Sequence, residues 1–589
     1  MFNAVHVTHE AVYKVGGIGA VLEGLINSRP YRDAVGRTVL VCPLFYPENA
    51  QRLGPGAAIE YSSLDHVRDG PYADALARLE REWGVHFVYG RRPLEDEPTS
   101  RRTVCEVLLV DLRGIHTHRV NEVKGRLWRD YGLRSDPYEH IWEFEQYVQL
   151  AGPAHAALEV MRIGTPDAPA AVFAHEFMGV PTALLAQSLS PARYRTLFYA
   201  HEVAPIRRIV ERMPGHDVMF YNTLALAREE RLSVEQVFGS QRDYHKFAIV
   251  EAARHCDALL AVGHHVVDEL RFMGPEFERT ETALAFNGIP ASRISLADRR
   301  ASRQRLGGYF EHLLGWRPTR IFTHVTRMAD SKALWRDVDV LSCLDPLLGE
   351  RGESAVLLVL STELPRRPIH AILRMEQEWD WPLAHREGGL DLTEGEARYY
   401  RFVQAFNVRA RNTKIIYVNQ FGFDRARCGL RVPEEIEFLD VRRASDVEFG
   451  LSLYEPFGIS PLETLTFGGL CVVSTSCGCA GFVRQVSGAK RPPGVLLAGY
   501  IEGARRVRTI RDALAIDAGE RRQVELRLAG QVAEQILQRL PTSEADEEKL
   551  MAAGYELAKR MSWDAVAERL VLPAVRRATA RRRSVSVVA

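Results

Sequence analysis

Residues 444–475 read Ala-Ser-Asp-Val-Glu-Phe-Gly-Leu-Ser-Leu-Tyr-Glu-Pro-Phe-Gly-Ile-Ser-Pro-Leu-Glu-Thr-Leu-Thr-Phe-Gly-Gly-Leu-Cys-Val-Val-Ser-Thr, and this stretch decides the fold class. Residues 447–453 form a short apolar run, Pro456 and Gly458 break it, and residues 470–474 begin a second, β-branched run. The pattern predicts a strand, an acidic loop, a helix and a second strand. Such a β-α-β unit indicates an α/β protein with a parallel sheet.

The predicted helix of this unit begins at Ser460. Serine is a good N-cap, Pro461 suits the first helical position, and Glu463 falls three residues after the cap. The free N–H groups at such a helix start favour an anionic ligand at the carboxyl edge of the sheet. Glu463 either faces a ligand or closes a capping box with Ser460, and both readings stay open. Glu455, between a tyrosine and a proline at a strand end, has no capping role.

The composition is that of a soluble globular protein, with 46% hydrophobic and 26% charged residues in a chain of 589. Lys+Arg 76 balances Asp+Glu 76, so nothing points to nucleic acid or an anionic membrane as a partner. The first residues lack the features of a signal peptide, and no apolar run approaches the ~20 residues of a membrane span. We therefore expect a cytoplasmic protein.

The cysteines do not indicate a disulfide framework or a metal site. Eight cysteines are too few and too scattered for a disulfide framework. A metal site would need another close pair at a suitable spacing from Cys477-Gly-Cys479, and the sequence has none. We expect no metal and no cofactor.

The N-terminal residues predict the first β-α unit of a nucleotide-binding fold. Residues 2–8 are strand-like, the glycines Gly16 and Gly17 follow, and residues 21–26 have a helical pattern. Glycines let the backbone approach a ligand closely, and Lys14 adds a positive charge at the same place. Further strands are expected at residues 38–42, 104–111, 170–174, 194–199 and 258–262. Their alternation with helical segments favours a mostly parallel sheet with helices on both faces.

Two histidine-glutamate pairs follow successive predicted strands: His175-Glu176 and His201-Glu202. A single histidine after a strand is more often structural than functional. Two such pairs are harder to dismiss, because the carboxyl ends of parallel strands line the ligand crevice. The turn that contains Asn287 and Gly288 then closes the first domain.

The second half of the chain predicts another α/β domain. Its first strand covers residues 320–326, and Arg327 and Lys332 lie in the loop that follows. Two cations at a strand end either converge on one diphosphate or are plain surface charges. Later strands are expected at residues 355–361 and 414–419, before the strand at 447. Residues 363–413 are too long for a plain connection, and we interpret them as an inserted helical subdomain that contacts an acceptor or other subunits.

Helices complete the expected order of elements. Residues 520–540 predict an amphipathic helix, and Ser562 is an N-cap for a final helix. The tail carries a basic cluster, Arg576, Arg577 and residues 581–583, which is either a solvated end or a site for a regulatory anion.

The run from Glu455 to Glu463 resembles the paired-glutamate motif of retaining glycosyltransferases with two Rossmann-like domains, the GT-B architecture. Within that group the chain is most similar to the glycogen and starch synthases. Lys14-Val-Gly-Gly is closer to their eukaryotic branch, as are Arg207 and residues 240–258. The likeness covers nearly the whole chain and is weakest in residues 51–100 and 363–413. Where the family has histidine, alanine and threonine, this chain has His201-Glu202-Val203, so the sugar pocket is expected to differ.

The resemblance implies an α/β fold of the GT-B type, in which two parallel sheets face each other across a cleft. The expected domains are residues 1–310 on the acceptor side, residues 311–555 for the nucleotide sugar with the insertion near 363–413, and residues 556–589. The last segment comprises a helix that crosses back to the N-terminal domain and the basic tail.

The implied activity is transfer of glucose, with retention, from UDP- or ADP-glucose to an α-1,4-glucan, without a metal ion. The partners are then a nucleotide sugar and a glucan acceptor, and a homo-oligomer is left open. A GT-B enzyme with another nucleotide sugar or a small saccharide acceptor is the main alternative. A nucleotide-sugar epimerase and a catalytically silent relative are disfavoured, because the paired glutamates and every charged donor-site residue are present.

The roles carried over by resemblance fall into three groups. The catalytic group is Glu455, His201, Arg327 and Lys332. The acceptor side has His175 and Glu176. Donor binding is assigned to Lys14, Gly16, Gly17, Arg207, Asn287, Arg327, Lys332, Tyr454, Gly458, Ile459 and Glu463.

Overall fold

The computed structural model describes residues 1–14, 16–96, 101–212, 216–363, 366–386, 391–489, 491–503 and 507–580. The chain folds as two compact units. The first comprises Met1–Arg208, Ala227–Gly288 and the chain from Trp563 onward, and the second comprises Ile209–Leu226 and Ile289–Ser562. The boundary expected at residues 310 and 311 falls inside a helix of the second unit, Leu296–Leu314.

The strands in the described part of the chain include every strand that the sequence predicts. They are β1 (Phe2–Val7), β2 (Val35–Pro43), β3 (Ala58–Ser62), β4 (Val67–Arg68), β5 (His86–Asp96), β6 (Arg101–Asp111), β7 (Ala170–His175), β8 (Tyr194–Ala200), β9 (Ala258–Ala261), β10 (Thr282–Leu284), β11 (Arg320–Thr326), β12 (Ala355–Ser361), β13 (Thr413–Val418), β14 (Val447–Gly450), β15 (Leu470–Ser474) and β16 (Val495–Ala498). The strands β3, β4, β5, β10 and β16 were not predicted. The sequence of β5 contains Gly90 and Pro93, two residues that normally interrupt a strand.

The helices connect these strands and cover the sheets. They are α1 (Gly17–Asn27), α2 (Arg29–Ala34), α3 (Ala73–Trp83), α4 (Thr117–Tyr131), α5 (Trp142–Val160), α6 (Glu176–Leu189), α7 (Ala204–Arg212), α8 (His216–Glu230), α9 (Val234–Phe238), α10 (His245–Ala252), α11 (His264–Met273), α12 (Leu296–Leu314), α13 (Trp335–Glu350), α14 (Ile369–Glu378), α15 (Glu394–Arg409), α16 (Arg425–Cys428), α17 (Phe438–Ala444), α18 (Gly478–Ser487), α19 (Tyr500–Gly503), α20 (Ile510–Leu514), α21 (Ala518–Arg539), α22 (Glu544–Arg560), α23 (Trp563–Val566) and α24 (Leu572–Ala580). A π turn, Ala567–Val571, joins the last two.

The sheet of the first unit has ten strands in the order β10-β9-β8-β7-β1-β2-β6-β5-β3-β4. The strands from β10 to β6 are parallel. The pairs β5/β6, β3/β5 and β3/β4 are antiparallel, so this edge of the sheet does not continue the parallel β-α pattern. The chain runs from β1 to β2 on one side and later places β7 on the other side of β1. The topological switch point of this sheet is therefore between β1 and β7.

The sheet of the second unit has six parallel strands in the order β13-β12-β11-β14-β15-β16. Side chains of β12 alternate between two cores: Leu357 and Val359 belong to one, and Val356 and Leu358 to the other. This period of two places a buried apolar layer on each face, as a parallel sheet requires. The chain moves outward from β11 to β12 and β13 and then returns to the other side of β11 as β14. The switch point lies between β11 and β14.

The expected inserted segment, residues 363–413, contains α14 and α15. The helix α15 packs Tyr399, Val403 and Phe406 into the core of the second unit. This helix is thus part of the layer that covers the sheet. Of the basic tail, Arg577 donates from Nε to Glu281 Oε1 (2.5 Å), and residues 581–583 lie outside the described residues.

A helix begins at Ser460 as predicted, but it is a short 3₁₀ helix rather than an α-helix. The chain forms two 3₁₀ turns, Ser460–Leu462 and Leu465–Phe467, and Gly468 ends the second with φ +83°. The segment is confined on both sides. A Cβ at Gly450 of β14 would lie 2.5 Å from Pro461, and a Cβ at Gly554 of α22 would lie 2.2 Å from the Leu465 carbonyl oxygen. Tight packing therefore overrides the helical capping signal, and so short a segment has no helix dipole to offer an anion.

Candidate active site

The predicted charged residues of the second unit follow the two strands at its switch point. Arg327 and Lys332 come after β11, and Glu455 and Glu463 come after its neighbour β14. The carbonyl oxygen of Ser331 accepts hydrogen bonds from the backbone N–H groups of Leu453 (2.8 Å) and Tyr454 (3.2 Å). These two bonds join the loops that follow the strands. Residues such as Lys332 and Glu455, 123 positions apart in sequence, thereby become neighbours.

Lys332 and Glu455 form an ion pair at this junction, in which the lysine Nζ donates to Glu455 Oε2. The two side chains are only 13 and 15% exposed. A pair that is largely removed from water interacts more strongly than a surface pair. Two residues that the resemblance names as catalytic are therefore held together by the fold of this unit.

The backbone of the glutamate loop is clamped by the start of α18. The N–H of Gly478 donates to the Glu455 carbonyl (2.9 Å), and the N–H of Cys479 donates to the Phe457 carbonyl (2.8 Å). A Cβ at Gly478 would lie 1.8 Å from the Pro456 carbonyl oxygen, so only glycine permits this approach. Gly458 has φ +89°, which turns the chain back beside the Glu455 side chain. The loop is thus fixed from its main chain.

Glu463 is paired with a buried arginine rather than with the helix cap. Arg442 of α17 binds Glu463 Oε2 through Nη2 and Glu448 Oε1 through Nη1 (2.9 Å). The same Nη2 donates to Ser460 Oγ (2.9 Å), and Ser460 Oγ donates to the Val325 carbonyl (2.8 Å). The capping box between Ser460 and Glu463 does not form. Arg442 fixes the position of the second glutamate instead.

The remaining predicted donor residues of this unit differ in exposure. Arg327 is exposed, and its guanidinium has no hydrogen bond or ion pair within the described residues. Ile459 is half-buried, whereas Tyr454 and Gly458 are buried. Arg327 is thus the cation with the most freedom to meet an anion. The Tyr454 side chain instead packs inside the unit.

In the first unit, the glycine-rich turn after β1 is organised by Glu10. This carboxylate, 4% exposed, accepts a hydrogen bond from the N–H of Gly19 in the first turn of α1 (2.7 Å). A Cβ at Gly16 would lie 3.0 Å from Glu10 Oε1. The helix start that we expected to meet donor phosphates is therefore already occupied by an internal anion. The exposed Gly17 lies at the same helix start.

Lys14 also has an internal partner, because its Nζ lies 2.5 Å from Glu23 Oε2 on α1. The lysine side chain is 49% exposed. A half-exposed pair of this kind is worth little and exchanges readily for another anion. Its role in donor binding stays a prediction.

A row of histidines crosses the same edge of the sheet. His6 Nδ1 lies 2.8 Å from His175 Nε2, and His175 Nδ1 lies 2.8 Å from His201 Nε2. His6 Nε2 is 2.9 Å from the hydroxyl of Tyr31. Burial lowers the pKa of His6 and of His201 to about 3, and it lowers the pKa of His175 as well. The three rings are therefore neutral at physiological pH.

His175 and Glu176 lie below the surface, at 0 and 4% exposure. Both ring nitrogens of His175 are engaged, so its side chain has no free atom for a sugar. The predicted acceptor-side role of this pair stays a prediction, and direct contact by the His175 ring is not supported.

Glu176 is strained, and its environment disfavours the charged form of its carboxyl group. Its φ of +57° is rare for a residue with a side chain. Burial, followed by the nearby charge of Glu202, raises its pKa well above the usual range of a carboxyl group. Glu176 Oε1 accepts from the N–H of Glu202 (2.6 Å), and Oε2 has no hydrogen-bond partner among the residues that the structure describes.

Arg207 is paired with the residue that departs from the family pattern. Its Nε and Nη2 both lie 2.6 Å from Glu202 Oε2. Because the resemblance assigns Arg207 to the donor and expects alanine at position 202, Glu202 is a charged competitor for that guanidinium. Asn287, 6% exposed, keeps its Oδ1 unpaired within the described part of the chain.

Four residues of these clusters were not predicted: Glu10, His6, Tyr31 and Arg442. Two of them had a visible signal in the sequence. Glu10 lies just before a glycine-rich turn, and His6 is a histidine inside an apolar strand. Tyr31 and Arg442 gave none, since they lie on α2 and α17 and reach their partners only through tertiary packing.

The arrangement can hold an anion beside a carboxylate in the second unit. Arg327 and Lys332 supply positive charge, and Glu455 supplies a fixed negative charge in contact with Lys332. Among the described residues, no group of three or more histidine, cysteine or acidic side chains has the geometry of a metal site. No helix in the described ranges is long and apolar enough to cross a membrane.

The neutral histidines predict a steep loss of stability in acid. Their pKa in the folded chain lies below the value of about 6.5 in the unfolded chain, so the unfolded state binds more protons once the pH falls below 6.5. For His6 and His201, each ring then costs about 1.4 kcal/mol per pH unit down to a pH of about 3, and this stability is fully present above 6.5. His6→Gln removes one such ring and should flatten the profile by that amount between pH 6 and 4.

This prediction is checked by denaturant unfolding of wild type and His6→Gln from pH 7.5 to 4. Glu176 and the other titrating groups are present in both proteins, so their contribution to the pH dependence of stability cancels in the comparison. Parallel pH profiles would show that the pKa of His6 is the same in the folded and the unfolded chain, which would contradict the prediction.

Comparisons with known proteins fit this geometry at the level of the fold. No protein-family model matches the chain, and no curated protein matches its sequence. Solved structures do match over almost their whole length. The catalytic domain of starch synthase IV from Arabidopsis thaliana, bound to ADP and acarbose, has a TM-score of 0.53 at 13% identity, covering 98% of this chain and 100% of its own.

Two further structures are similar to the same extent. The UDP-forming α,α-trehalose-phosphate synthase of Burkholderia vietnamiensis has a TM-score of 0.51 at 13% identity, over 99% of this chain and 100% of its own. The sucrose-phosphate synthase of Thermosynechococcus elongatus has a TM-score of 0.50 at 14% identity, covering 98% of this chain and 100% of its own. The chain therefore has the α/β fold of the GT-B glycosyltransferases, with one parallel sheet in the second unit and a largely parallel one in the first.

Proposed function

We propose that this chain is a retaining glycosyltransferase that transfers glucose from UDP- or ADP-glucose to an α-1,4-glucan, as glycogen and starch synthases do. The observation that carries the proposal is the Lys332–Glu455 pair, beside Arg327 and Glu463, at the switch point of the second sheet. Open α/β sheets bind ligands at such points. The proposal includes a cytoplasmic location and a part in glycogen synthesis.

The first chemical requirement is neutralisation of the leaving diphosphate. Arg327 is exposed and unpaired within the described residues, and its fork of donors suits a phosphate. Lys332 carries three donors and can bind a phosphate oxygen while it holds Glu455. The charge of these groups is fixed before the donor arrives, which is the form of electrostatic catalysis that costs least reorganisation.

The second requirement is a negative group near the sugar as positive charge develops at its anomeric carbon. Glu455 has this role in the proposal, because its loop is held by Gly478 and Cys479 and its carboxylate by Lys332. Retention then proceeds on one face of the sugar, and the leaving phosphate takes the acceptor proton, as the resemblance implies. Glu463, held by Arg442, would bind the nucleotide.

A GT-B transferase with another nucleotide sugar or a small saccharide acceptor is the second candidate. The Glu202–Arg207 pair favours it, because a carboxylate stands where the glycogen synthases have alanine. The trehalose-phosphate and sucrose-phosphate synthases that share the fold are named for small products.

The test is release of nucleoside diphosphate from a panel of nucleotide sugars, with glycogen, glucose 6-phosphate, fructose 6-phosphate or no acceptor. We expect release from UDP- or ADP-glucose only with glycogen, and an α-linked product by NMR. Release that depends on a sugar phosphate instead would establish the second candidate. No release from any of these donors with any acceptor would overturn the proposal.

A further inference from the structure

The row of histidines in the first unit extends to two hydroxyl groups and forms one continuous chain of hydrogen bonds. Tyr31, on α2, bonds His6 at 2.9 Å and the Thr38 hydroxyl of β2 at 3.1 Å. His6 bonds His175, and His175 bonds His201, each at 2.8 Å. We call these five side chains the relay. It joins the interior of the unit to His201, the residue that the resemblance puts beside the donor sugar.

The relay permits only two arrangements of protons. A neutral imidazole has one N–H donor and one bare nitrogen that accepts. Because three neutral rings are bonded in a row, they must all be protonated on Nδ1 or all on Nε2. A ring of the opposite sense would leave two donors or two bare nitrogens facing each other inside the protein. The tautomer of His201 is thus tied to the hydroxyl of Tyr31, three bonds away along the relay.

Tyr31 selects one of the two arrangements. A phenol is a better donor than an imidazole N–H, and an imidazole nitrogen is a better acceptor than a phenol oxygen. The favoured bond is therefore O–H of Tyr31 to Nε2 of His6, while the Thr38 hydroxyl donates to the tyrosine oxygen. Burial raises the pKa of Tyr31, so the phenol keeps its proton. It follows that His6 donates from Nδ1 to His175, and His175 donates from Nδ1 to His201.

We propose that Tyr31, His6 and His175 are positioning residues that hold His201 as the Nδ1–H tautomer, so that its Nδ1–H is a fixed hydrogen-bond donor. The role of that donor toward a sugar hydroxyl rests on the proposed function, whereas the tautomer itself does not. Within the described residues, Nδ1 of His201 has no hydrogen-bond partner. A donor whose direction is set in advance costs no reorganisation when a ligand arrives.

The packing around the rings supports a fixed geometry. His6 stacks on Phe173 with centroids 4.5 Å apart and planes 3° from parallel. His175 and His201, bonded edge to edge, have ring planes 10° from parallel with centroids 5.1 Å apart, and Tyr199 stacks on His201 at 4.5 Å. His6 and His175 are fully buried with both ring nitrogens bonded, so they have no room to turn and exchange their nitrogens.

The test is the tautomer of His201 in the full chain labelled with ¹⁵N-histidine. Long-range ¹H–¹⁵N correlation spectra distinguish a protonated from a bare ring nitrogen, and the spectrum of His201→Gln assigns the signals. We expect wild type to carry the His201 proton on Nδ1 alone. Tyr31→Phe removes the selecting hydroxyl with little change of shape, and His201 should then shift to a mixture of tautomers or to Nε2–H.

Tyr199→Phe is the matched control. Tyr199 is a buried tyrosine that touches the rings of His175 and His201, and its hydroxyl bonds the Ala285 carbonyl (3.2 Å) outside the relay. It should leave the tautomer of His201 unchanged. A wild-type His201 protonated on Nε2, or a Tyr31→Phe spectrum identical to wild type, would overturn the proposal. The wild-type spectrum alone decides the point if Tyr31→Phe fails to fold.

Kinetics then separate the two proposals. If the donor panel shows sugar transfer, Tyr31→Phe should lower kcat by about threefold to tenfold with the donor KM within twofold, as expected when an interaction made in the transition state weakens. An unchanged kcat would overturn the positioning role. If no nucleotide sugar is turned over, the proposed function fails, and the spectra still decide whether the relay fixes His201.

Discussion

Glu455→Gln is expected to lower the rate of sugar transfer by about 10²- to 10³-fold, the range found when one fixed electrostatic group is removed from an active site. Glutamine keeps the size of the side chain and removes its negative charge. Glu455 lies in contact with Lys332, and its loop is held by α18 through two backbone hydrogen bonds. The substitution therefore removes charge at a position that the fold keeps in place. The measurement is acceptor-dependent release of nucleoside diphosphate at saturating donor.

The pair is expected to act as a unit. Lys332→Met should cost a similar factor, and the double variant should be within about tenfold of the slower single variant, because residues that share one interaction are strongly non-additive. If the rate loss of the double variant equals the product of the two single losses, Glu455 and Lys332 act independently. Asp330→Asn is the matched control, since Asp330 lies in the same loop and pairs only at the surface with Arg398, and it should change the rate by less than twofold. A Glu455→Gln protein with near wild-type turnover would remove the proposed role of this carboxylate.

Arg336→Met is expected to cost about 3–5 kcal/mol of unfolding free energy in the second unit, as loss of one partner of a buried ion pair does. Arg336 is fully buried, donates from Nε to Glu525 Oε1 (2.9 Å) and from Nη1 to the Leu451 carbonyl (2.9 Å), and lies 3.8 Å from the ring centroid of Tyr500. Methionine fills part of the space and leaves the carboxylate of Glu525 without its main partner. At about 2–4 °C per kcal/mol for a unit of this size, Tm should fall by roughly 10 °C in scanning calorimetry.

Two further variants make this result specific. Arg374→Met removes an exposed helical pair with Glu378, whose side chains are 72 and 46% exposed, and should change stability by no more than about 0.5 kcal/mol. Arg336→Met combined with Glu525→Met removes both charges and should recover at least half of the lost Tm. If the double variant is less stable than the single one, the burial of an unpaired Glu525 is not the cause. Because Arg336 holds the strand end that leads to Tyr454 and Glu455, the single variant should also lose activity.

The sequence predicted the regular elements well because their signals are local. The apolar runs that became β7, β12 and β15 have the composition of strands buried on both faces, and the structure confirms them. The antiparallel strands β3, β4 and β5 were missed, since glycine, proline and charged residues mask their alternation. The helix predicted at Ser460 does begin there but is a 3₁₀ helix, for the opposite reason. Its capping signal was clear, but packing between β14 and α22 forces 3₁₀ turns there.

The sequence alone determined which residue types follow which strands: Arg327 and Lys332 after one, Glu455 and Glu463 after another, and histidines after two more. These assignments depend only on the order of residues along the chain. The tertiary structure decided their partners. It paired Lys332 with Glu455, Glu463 with Arg442, Arg207 with Glu202 and Lys14 with Glu23. It also joined three histidines to Tyr31.

The physical reason for this division is the range of the interactions. Strand and turn preferences arise from neighbours within a few residues, so they can be read from the sequence. A hydrogen bond such as His6 to His175 spans 169 residues and forms only because β1 and β7 are adjacent in the sheet. The charge and protonation of a buried side chain depend on such distant partners. Residue types in strand order came from the sequence, and their chemical state came from the fold.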